Sequence, residues 1–268
     1  MNTNENRPIG VFDSGIGGLT VLKEIMRLLP REDTIYLGDT ARVPYGNKSS
    51  ETVIRYALET TDFLLDKRIK LLVVACNTAS AVSLPILKAR YRLPILGVIE
   101  PGAKKAVEVT RTRRVAVIGT ERTVKSEAYV RAIREINPRI RVFGQACPLF
   151  VPLAEEGWSG NDIALMAGER YLNGMPRKKI DVLVLGCTHY PLLKKVIQKV
   201  VGPGIVLIDS AKETAREVRR VLKEREFLRK RSESGDHLYY VTDDPERFLT
   251  VGERFLGKRL EKVKQVKI

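Results

Sequence analysis

The sequence predicts an α/β fold made of two similar parallel-sheet α/β domains related by pseudo-twofold symmetry. Three observations predict it. Short, continuous apolar runs alternate with longer amphipathic stretches along the chain. Fully apolar strands separated by helices belong to parallel sheets covered on both faces. One segment repeats: Ile69-Lys-Leu-Leu-Val-Val-Ala-Cys76-Asn-Thr78 aligns with Ile180-Asp-Val-Leu-Val-Leu-Gly-Cys187-Thr-His189 at a constant offset of 111 residues. Finally, 268 residues suffice for two small domains with sizeable cores.

The elements follow in order. Strands are expected at 9–12, 34–38, 70–75, 95–99, 114–119, 141–146, 181–186 and 205–209. The run 19–29 has apolar spacing near 3.6 and stops at Pro30, which marks a helix end. Residues 50–67 and 123–136 carry the same helical spacing. The C-terminal part reads as a long helix over 210–231, a strand at 237–242 and a helix from Pro245. It has no counterpart in the repeat and is expected to fold back onto the first half. The first domain is therefore 1–99 plus 208–268, and the second is 100–207. Each half carries a cysteine at the C-terminal end of a central strand. That edge is where open parallel sheets bind ligands, so the active site is expected in the cleft between the domains.

Composition narrows the function classes. No apolar run approaches the ~20 residues of a membrane span, so no membrane partner is expected. MNTNENRPIG lacks the basic and apolar regions of a signal peptide, which points to the cytoplasm. Three cysteines, Cys76, Cys147 and Cys187, are too few and too widely spaced for a disulfide framework or a C-x-x-C site. The formal net charge is +15, and residues 101–207 hold 18 Lys/Arg against 9 Asp/Glu. The basic residues are scattered among acids, as in REVRRVLKEREFLRKR (216–231). This reads as a solvated charged surface, and no nucleic-acid partner is expected.

The paired cysteines carry the chemistry. Cys76 sits at a strand-to-helix turn, where free N–H groups favour an anion and lower a thiol from its usual value near 8.5. Asn77 and Thr78 are donors placed to hold a substrate carboxylate with the helix N-terminus. Cys187 occupies the equivalent turn of the second half, and His189, two residues on, is a candidate proton partner. Cys147 lies in apolar A-C-P-L-F and reads as packing. Two thiols facing each other across a cleft suit removal of a proton from one face of a stereocentre and delivery to the other. Asp13 and Ser14 in D-S-G-I-G-G, the Tyr45-Gly46 loop and Thr120 are candidates to orient a thiol or bind substrate.

Five motifs occur in order over residues 12–191: F-D-S-G-I-G-G-L, G-D-T-A-R-V-P-Y-G, A-C-N-T-A-S, C-P-L-F-V-P-L-A-E-E-G and L-G-C-T-H-Y-P. In these the chain resembles the glutamate racemases of the aspartate/glutamate racemase superfamily. The resemblance implies interconversion of L- and D-glutamate without a cofactor or metal, with D-glutamate going to peptidoglycan. It implies that Cys187 takes the α-proton from L-glutamate, and Cys76 from D-glutamate. Asp13 would assist Cys76, and His189 would assist Cys187, with Glu155 a further acid near the site. It assigns substrate contacts to Asp13, Ser14, Tyr45, Gly46, Asn77, Thr78, Thr188 and His189, with Thr120 and Thr123 beside them. It also implies a homodimer. The competing readings are a related racemase acting on aspartate or hydantoins, a nucleic-acid binder, and a Cys/Cys/His metal site.

Overall fold

The computed structural model describes residues 4–268. The first run of elements is β1 (Ile9–Asp13), α1 (Leu19–Leu28), β2 (Thr34–Gly38), α2 (Ser50–Asp66), β3 (Leu71–Val74), α3 (Asn77–Arg90), β4 (Ile95–Gly97) and α4 (Ile99–Val109). The second is β5 (Arg114–Gly119), α5 (Glu121–Lys125), α6 (Ala128–Ile136), β6 (Arg141–Ala146), α7 (Phe150–Glu155), α8 (Asp162–Leu172), β7 (Val182–Gly186), α9 (Lys194–Val201) and β8 (Val206–Asp209). The chain then runs through α10 (Ser210–Glu224), β9 (His237–Val241), α11 (Pro245–Leu256) and β10 (Val263–Gln265). Four strands, β1, β2, β3 and β7, are buried at every residue, as continuous apolar runs require.

The strands form two parallel sheets, ordered β10-β9-β2-β1-β3-β4 and β6-β5-β7-β8. The second order repeats four adjacent strands of the first, β2-β1-β3-β4, with β1, β2, β3 and β4 matching β5, β6, β7 and β8. In each sheet the chain winds one way from the first strand and the other way from the third. The switch points therefore lie between β1 and β3 and between β5 and β7. Ligands bind at the C-terminal ends of strands flanking such points. Those ends are Asp13 and Val74 in one sheet, and Gly119 and Gly186 in the other. Cys76 and Cys187 follow β3 and β7, so each lies at a switch point.

The C-terminal segment adds β9 beside β2 and β10 beyond it, both parallel. One apolar core runs through both halves. It joins Leu19, Leu22 and Ile25 of α1, Val218 and Leu222 of α10, Phe248 and Phe255 of α11, and Leu183 and Leu185 of β7. Separate clusters fill the α2–α3 side of the first sheet and the α4–α6 side of the second.

Four elements differ from the sequence reading. The strand expected over 95–99 ends at Gly97, and Ile99 already begins α4. The helix expected over 123–136 is two helices. Glu127 adopts φ 54 between them, and Ser126 Oγ accepts the Ala128 N–H at 3.2 Å. The helix expected over 210–231 stops at Glu224. There the Phe227 N–H folds back onto the Leu222 carbonyl at 2.8 Å, and Glu226 adopts φ 57. β10 was not anticipated, because KVKQVK has only two apolar residues among its lysines.

Candidate active site

Cys76 is the N-cap of α3: its Sγ accepts the Ala79 N–H at 3.5 Å. Its thiol also donates to Ser14 Oγ, 3.5 Å away at the end of β1. Both thiols are nearly closed to solvent, Cys76 at 5% and Cys187 at 6% exposure. For Cys76 this reverses the sequence expectation. Burial pushes the thiol up to about 12, and the neighbouring Asp13 adds to the rise. The Ala79 N–H and the Ser14 hydroxyl pull the other way but do not win. In the unliganded site Cys76 is therefore a thiol.

Asp13 ends β1 and is wholly buried. Its Oδ2 accepts the Gly15 N–H at 3.0 Å, and its Oδ1 has no partner. Burial raises its pKa against the attraction of His189 and the N–H groups of Gly15 and Gly18. The carboxyl is thus biased toward holding a proton next to Cys76. Gly18 makes this possible, since a Cβ there would lie 2.4 Å from Asp13 Cβ.

The second arm is built differently. Cys187 Sγ lies 3.8 Å from His189 Nδ1, and His189 Nε2 lies 3.0 Å from Glu155 Oε1. Burial disfavours the imidazolium, but Cys187 and Glu155 outweigh it and push His189 up to about 10. Glu155 moves the opposite way. Its desolvation is overcome by His189 and by Arg247, which hold the carboxylate ionised. The result is a Cys–His–Glu relay in which one nitrogen of the ring faces sulfur and the other faces the carboxylate.

Donors stand between the two arms. Tyr129 OH donates to Asn77 Oδ1 at 2.8 Å, while the buried Asn77 Nδ2 has no partner. The hydroxyls of Thr78, Thr120 and Thr123 form a triangle, with Thr78–Thr120 and Thr120–Thr123 at 3.0 Å and Thr78–Thr123 at 3.4 Å. Thr120 is also the N-cap of α5, accepting the Thr123 N–H at 3.2 Å. The triangle thus ties the α3 terminus of one half to the α5 terminus of the other. Gly46 closes the same seam, because a Cβ there would meet Thr120 Cβ at 2.9 Å.

These groups surround one cavity of about 280 Å³, near the lower end for small-molecule sites. Ser14, Tyr45, Gly46, Cys76, Asn77, Thr78, Thr120, Glu155, Cys187, Thr188 and His189 all line it. Asp13 and Thr123 stand behind the wall, in contact with residues that do. Tyr45 contributes no free hydroxyl, since its OH donates to Asp39. Val43, Pro44, Pro148, Val151 and Pro152 supply an apolar wall that sequence reasoning did not single out. Three of these lie in C-P-L-F-V-P-L, where past Cys147 no side chain carries a polar atom. The wall holds no Lys or Arg, so an anionic ligand here is met by neutral donors and His189. Cys147 is buried with its thiol on the Gln145 carbonyl at 3.7 Å and takes no part in the wall. Among the described residues no three His, Cys, Asp or Glu side chains are set to hold a metal ion, and no helix is long and apolar enough to cross a membrane.

The chain is similar to known proteins over nearly its whole length. The family described as Asp/Glu/Hydantoin racemase matches residues 9–218. A glutamate racemase of Geobacter metallireducens is 58% identical over 98% of this chain and 97% of its own. Among solved structures, the glutamate racemase of Thermus thermophilus in complex with beta-chloro-D-alanine superposes with a TM-score of 0.91 at 47% identity, covering 98% of each chain. That of Francisella tularensis in complex with D-glutamate gives 0.92 at 39% identity, again covering 98% of each.

Proposed function

The chain belongs to the Asp/Glu/Hydantoin racemase family, and on that premise we propose that it interconverts L- and D-glutamate with two thiols and no cofactor. The observation that carries the mechanism is the placing of Cys76 and Cys187 on equivalent turns of two repeated sheets, lining one cavity. The substrate is supported by the relatives, which are glutamate racemases over their full length.

In the L-to-D direction Cys187 passes its proton to His189 Nδ1, and the resulting imidazolium is held by Glu155. The thiolate takes the α-proton from one face of Cα. The electron pair left behind spreads into the α-carboxylate, which Asn77 Nδ2 and the Thr78 hydroxyl hold by hydrogen bonds that strengthen as charge develops. Cys76, still a thiol, delivers its proton to the opposite face. Cys187 ends protonated, His189 ends as imidazolium and Cys76 ends as thiolate. Asp13 returns a proton to Cys76, and exchange with solvent removes the proton from His189 and restores that of Asp13. The reverse reaction starts from Cys76 with Asp13 ionised, the state left once it has given up its proton, so that it can accept that of Cys76. The substrate ammonium, bound near Ser14 and Asp13, places a positive charge beside Cys76 and offsets the burial that keeps it neutral. The Tyr45–Gly46 backbone and the Thr188 hydroxyl meet the side-chain carboxylate, while Thr120 and Thr123 orient Thr78. Supply of D-glutamate to peptidoglycan and a homodimer belong to the same reading through the resemblance, and the cytoplasmic location expected from the sequence is proposed with them.

The test is incubation of pyridoxal-free protein with L-glutamate in D2O, following optical activity and α-deuterium. Racemisation with deuterium entering the product is expected. Folded, reduced protein that leaves L-glutamate unchanged but racemises aspartate or a hydantoin would overturn the substrate. Racemisation retained by both Cys76→Ser and Cys187→Ser would overturn the two-thiol mechanism.

A further inference from the structure

Three side chains of α11 converge on the Glu155–His189 pair. Arg247 Nη2 donates to Glu155 Oε2 at 3.2 Å. Arg254 Nη1 donates to the Glu155 backbone carbonyl at 3.0 Å. The Phe255 ring stands edge-on to the imidazole, with centroids 5.1 Å apart and planes at 81°. α11 follows β9, a strand of the first sheet, and packs on α1, where Gly252 sits against Leu19. Glu155 ends α7, between strands of the second sheet. The support of the Cys187 arm therefore comes from across the cleft.

The two oxygens of Glu155 are divided between two partners, Oε1 to His189 and Oε2 to Arg247. A carboxylate held at both oxygens is fixed in rotation, and so is the ring that bonds to it. Without Arg247, Oε2 turns to water, and only one bond sets the carboxylate plane. The Cys76 arm is different. Its neighbours Ser14 and Asp13 come from β1 and the turn after it, on the same sheet as Cys76 itself.

We propose that Arg247 is a positioning residue for the Cys187 arm, acting through Glu155 to fix the His189 ring against Cys187 Sγ. Arg254 and Phe255 complete the support by holding the Glu155 backbone and the face of the ring. This rests on the two-thiol reading above. It makes one of the two thiols, and not the other, depend on contact between the halves.

Direction-resolved rates alone do not reveal which arm is weakened. The two enantiomers have equal free energy, so kcat/KM falls equally in both directions whichever arm is damaged. The test therefore joins a mutant cycle with an arm-specific readout. Arg247→Ala, Arg247→Lys, Glu155→Gln and the double variant Arg247→Ala/Glu155→Gln are assayed for kcat/KM with glutamate. Iodoacetamide alkylation of Cys187 and Cys76 is followed in the same samples by peptide mass mapping. Arg247 is half exposed, so truncation leaves the core intact, and thermal unfolding checks this.

Arg247→Ala is expected to lose roughly tenfold in kcat/KM, part of the ~10²–10⁴-fold that a placed acid–base group supplies. Arg247→Lys should recover most of that loss. The double variant should be no worse than Glu155→Gln alone, because Arg247 acts through a partner already removed. Alkylation of Cys187 should change severalfold in Arg247→Ala while that of Cys76 stays at the wild-type rate. An unchanged kcat/KM in Arg247→Ala, losses that multiply in the double variant, or equal changes at both thiols would each overturn the proposal. The alkylation readout needs no substrate. Failure of the racemase reading would show instead as wild-type protein without turnover.

Discussion

Gly17 is a position where one added carbon would press directly on the Cys187 arm. It lies in the turn after β1, against the turn after β7. A Cβ there would lie 2.3 Å from Thr188 Oγ1 and 2.5 Å from both Cε1 and Nδ1 of His189. Ordinary contact is 3.4–4 Å, so about 1 Å of movement is needed. Little of it can be local. His189 is held by Glu155 and backed by Phe255, and the Thr188 carbonyl accepts the Thr20 hydroxyl at 2.9 Å. The backbone of Gly17 has an ordinary φ, so the penalty is one of space and not of strain. Overpacking of this kind costs about 1–3 kcal/mol. A misplacement of about 1 Å in a reacting group costs on the order of 10²-fold in rate. Gly17→Ala is therefore expected to fold, with its melting point lowered by several degrees, and to lose about 100-fold in kcat/KM. The assay is racemisation of L-glutamate followed by circular dichroism, with thermal unfolding in parallel. Gly160→Ala is the control, since a Cβ there meets nothing within 4 Å. A Gly17→Ala enzyme within twofold of wild type, or a Gly160→Ala enzyme equally damaged, would refute the steric argument.

Three further outcomes follow from the same geometry. His189 is held up to about 10, above its usual 6.5. Its contribution to stability is whole below pH 6.5 and is lost as pH rises through about 10, so urea midpoints should fall across that window. The fall should be smaller in His189→Gln, and an identical profile would sink the assignment. Lys70 and Glu32 form a buried ion pair, to which the Glu5 and Phe227 carbonyls add hydrogen bonds on Lys70. Lys70→Met should cost about 3–5 kcal/mol in urea titrations, because it strands a buried carboxylate. Lys70 precedes β3, at the opposite end from Cys76, so turnover per folded molecule should hold. Cys147→Ala should keep near wild-type turnover, and total loss with the fold preserved would place that thiol in the mechanism.

What the sequence made legible was what is local in the chain. An apolar strand, a small turn and a helix start occupy about ten consecutive residues, so both cysteine turns could be read and aligned directly. The topological equivalence of the sheets followed from that repeat. Helix ends at 126–127 and 225–227 were not legible, because they depend on a left-handed residue and on backbone bonds that apolar periodicity does not register. The role of Arg247 was hidden for a different reason. It lies 92 residues from Glu155 and across the cleft, in a chain with 47 basic residues and nothing to distinguish this one.

The repeat also explains why the two arms need not match. At the offset that pairs the cysteines, Thr78 of the first half aligns with His189 of the second. One copy therefore places a hydroxyl where the other places an imidazole. The hydroxyl joins the threonine triangle at the seam, and the imidazole joins Glu155, which Arg247 also holds. The substrate does not impose symmetry, because its α-carboxylate and ammonium keep one orientation while the proton changes face. It requires only that a base stand on each side. A duplicated scaffold supplies the two positions, and on the two-thiol proposal divergence at the aligned residues, Asn77-Thr78 against Thr188-His189, lets one side hold the anion of the substrate while the other stores the proton. On this argument, exchanging the pair in Thr78→His/His189→Thr should not give a working mirror image. Asp13 already fills the acidic place beside Cys76, and the side chain at position 78 is met by the Thr120 and Thr123 hydroxyls rather than by a carboxylate.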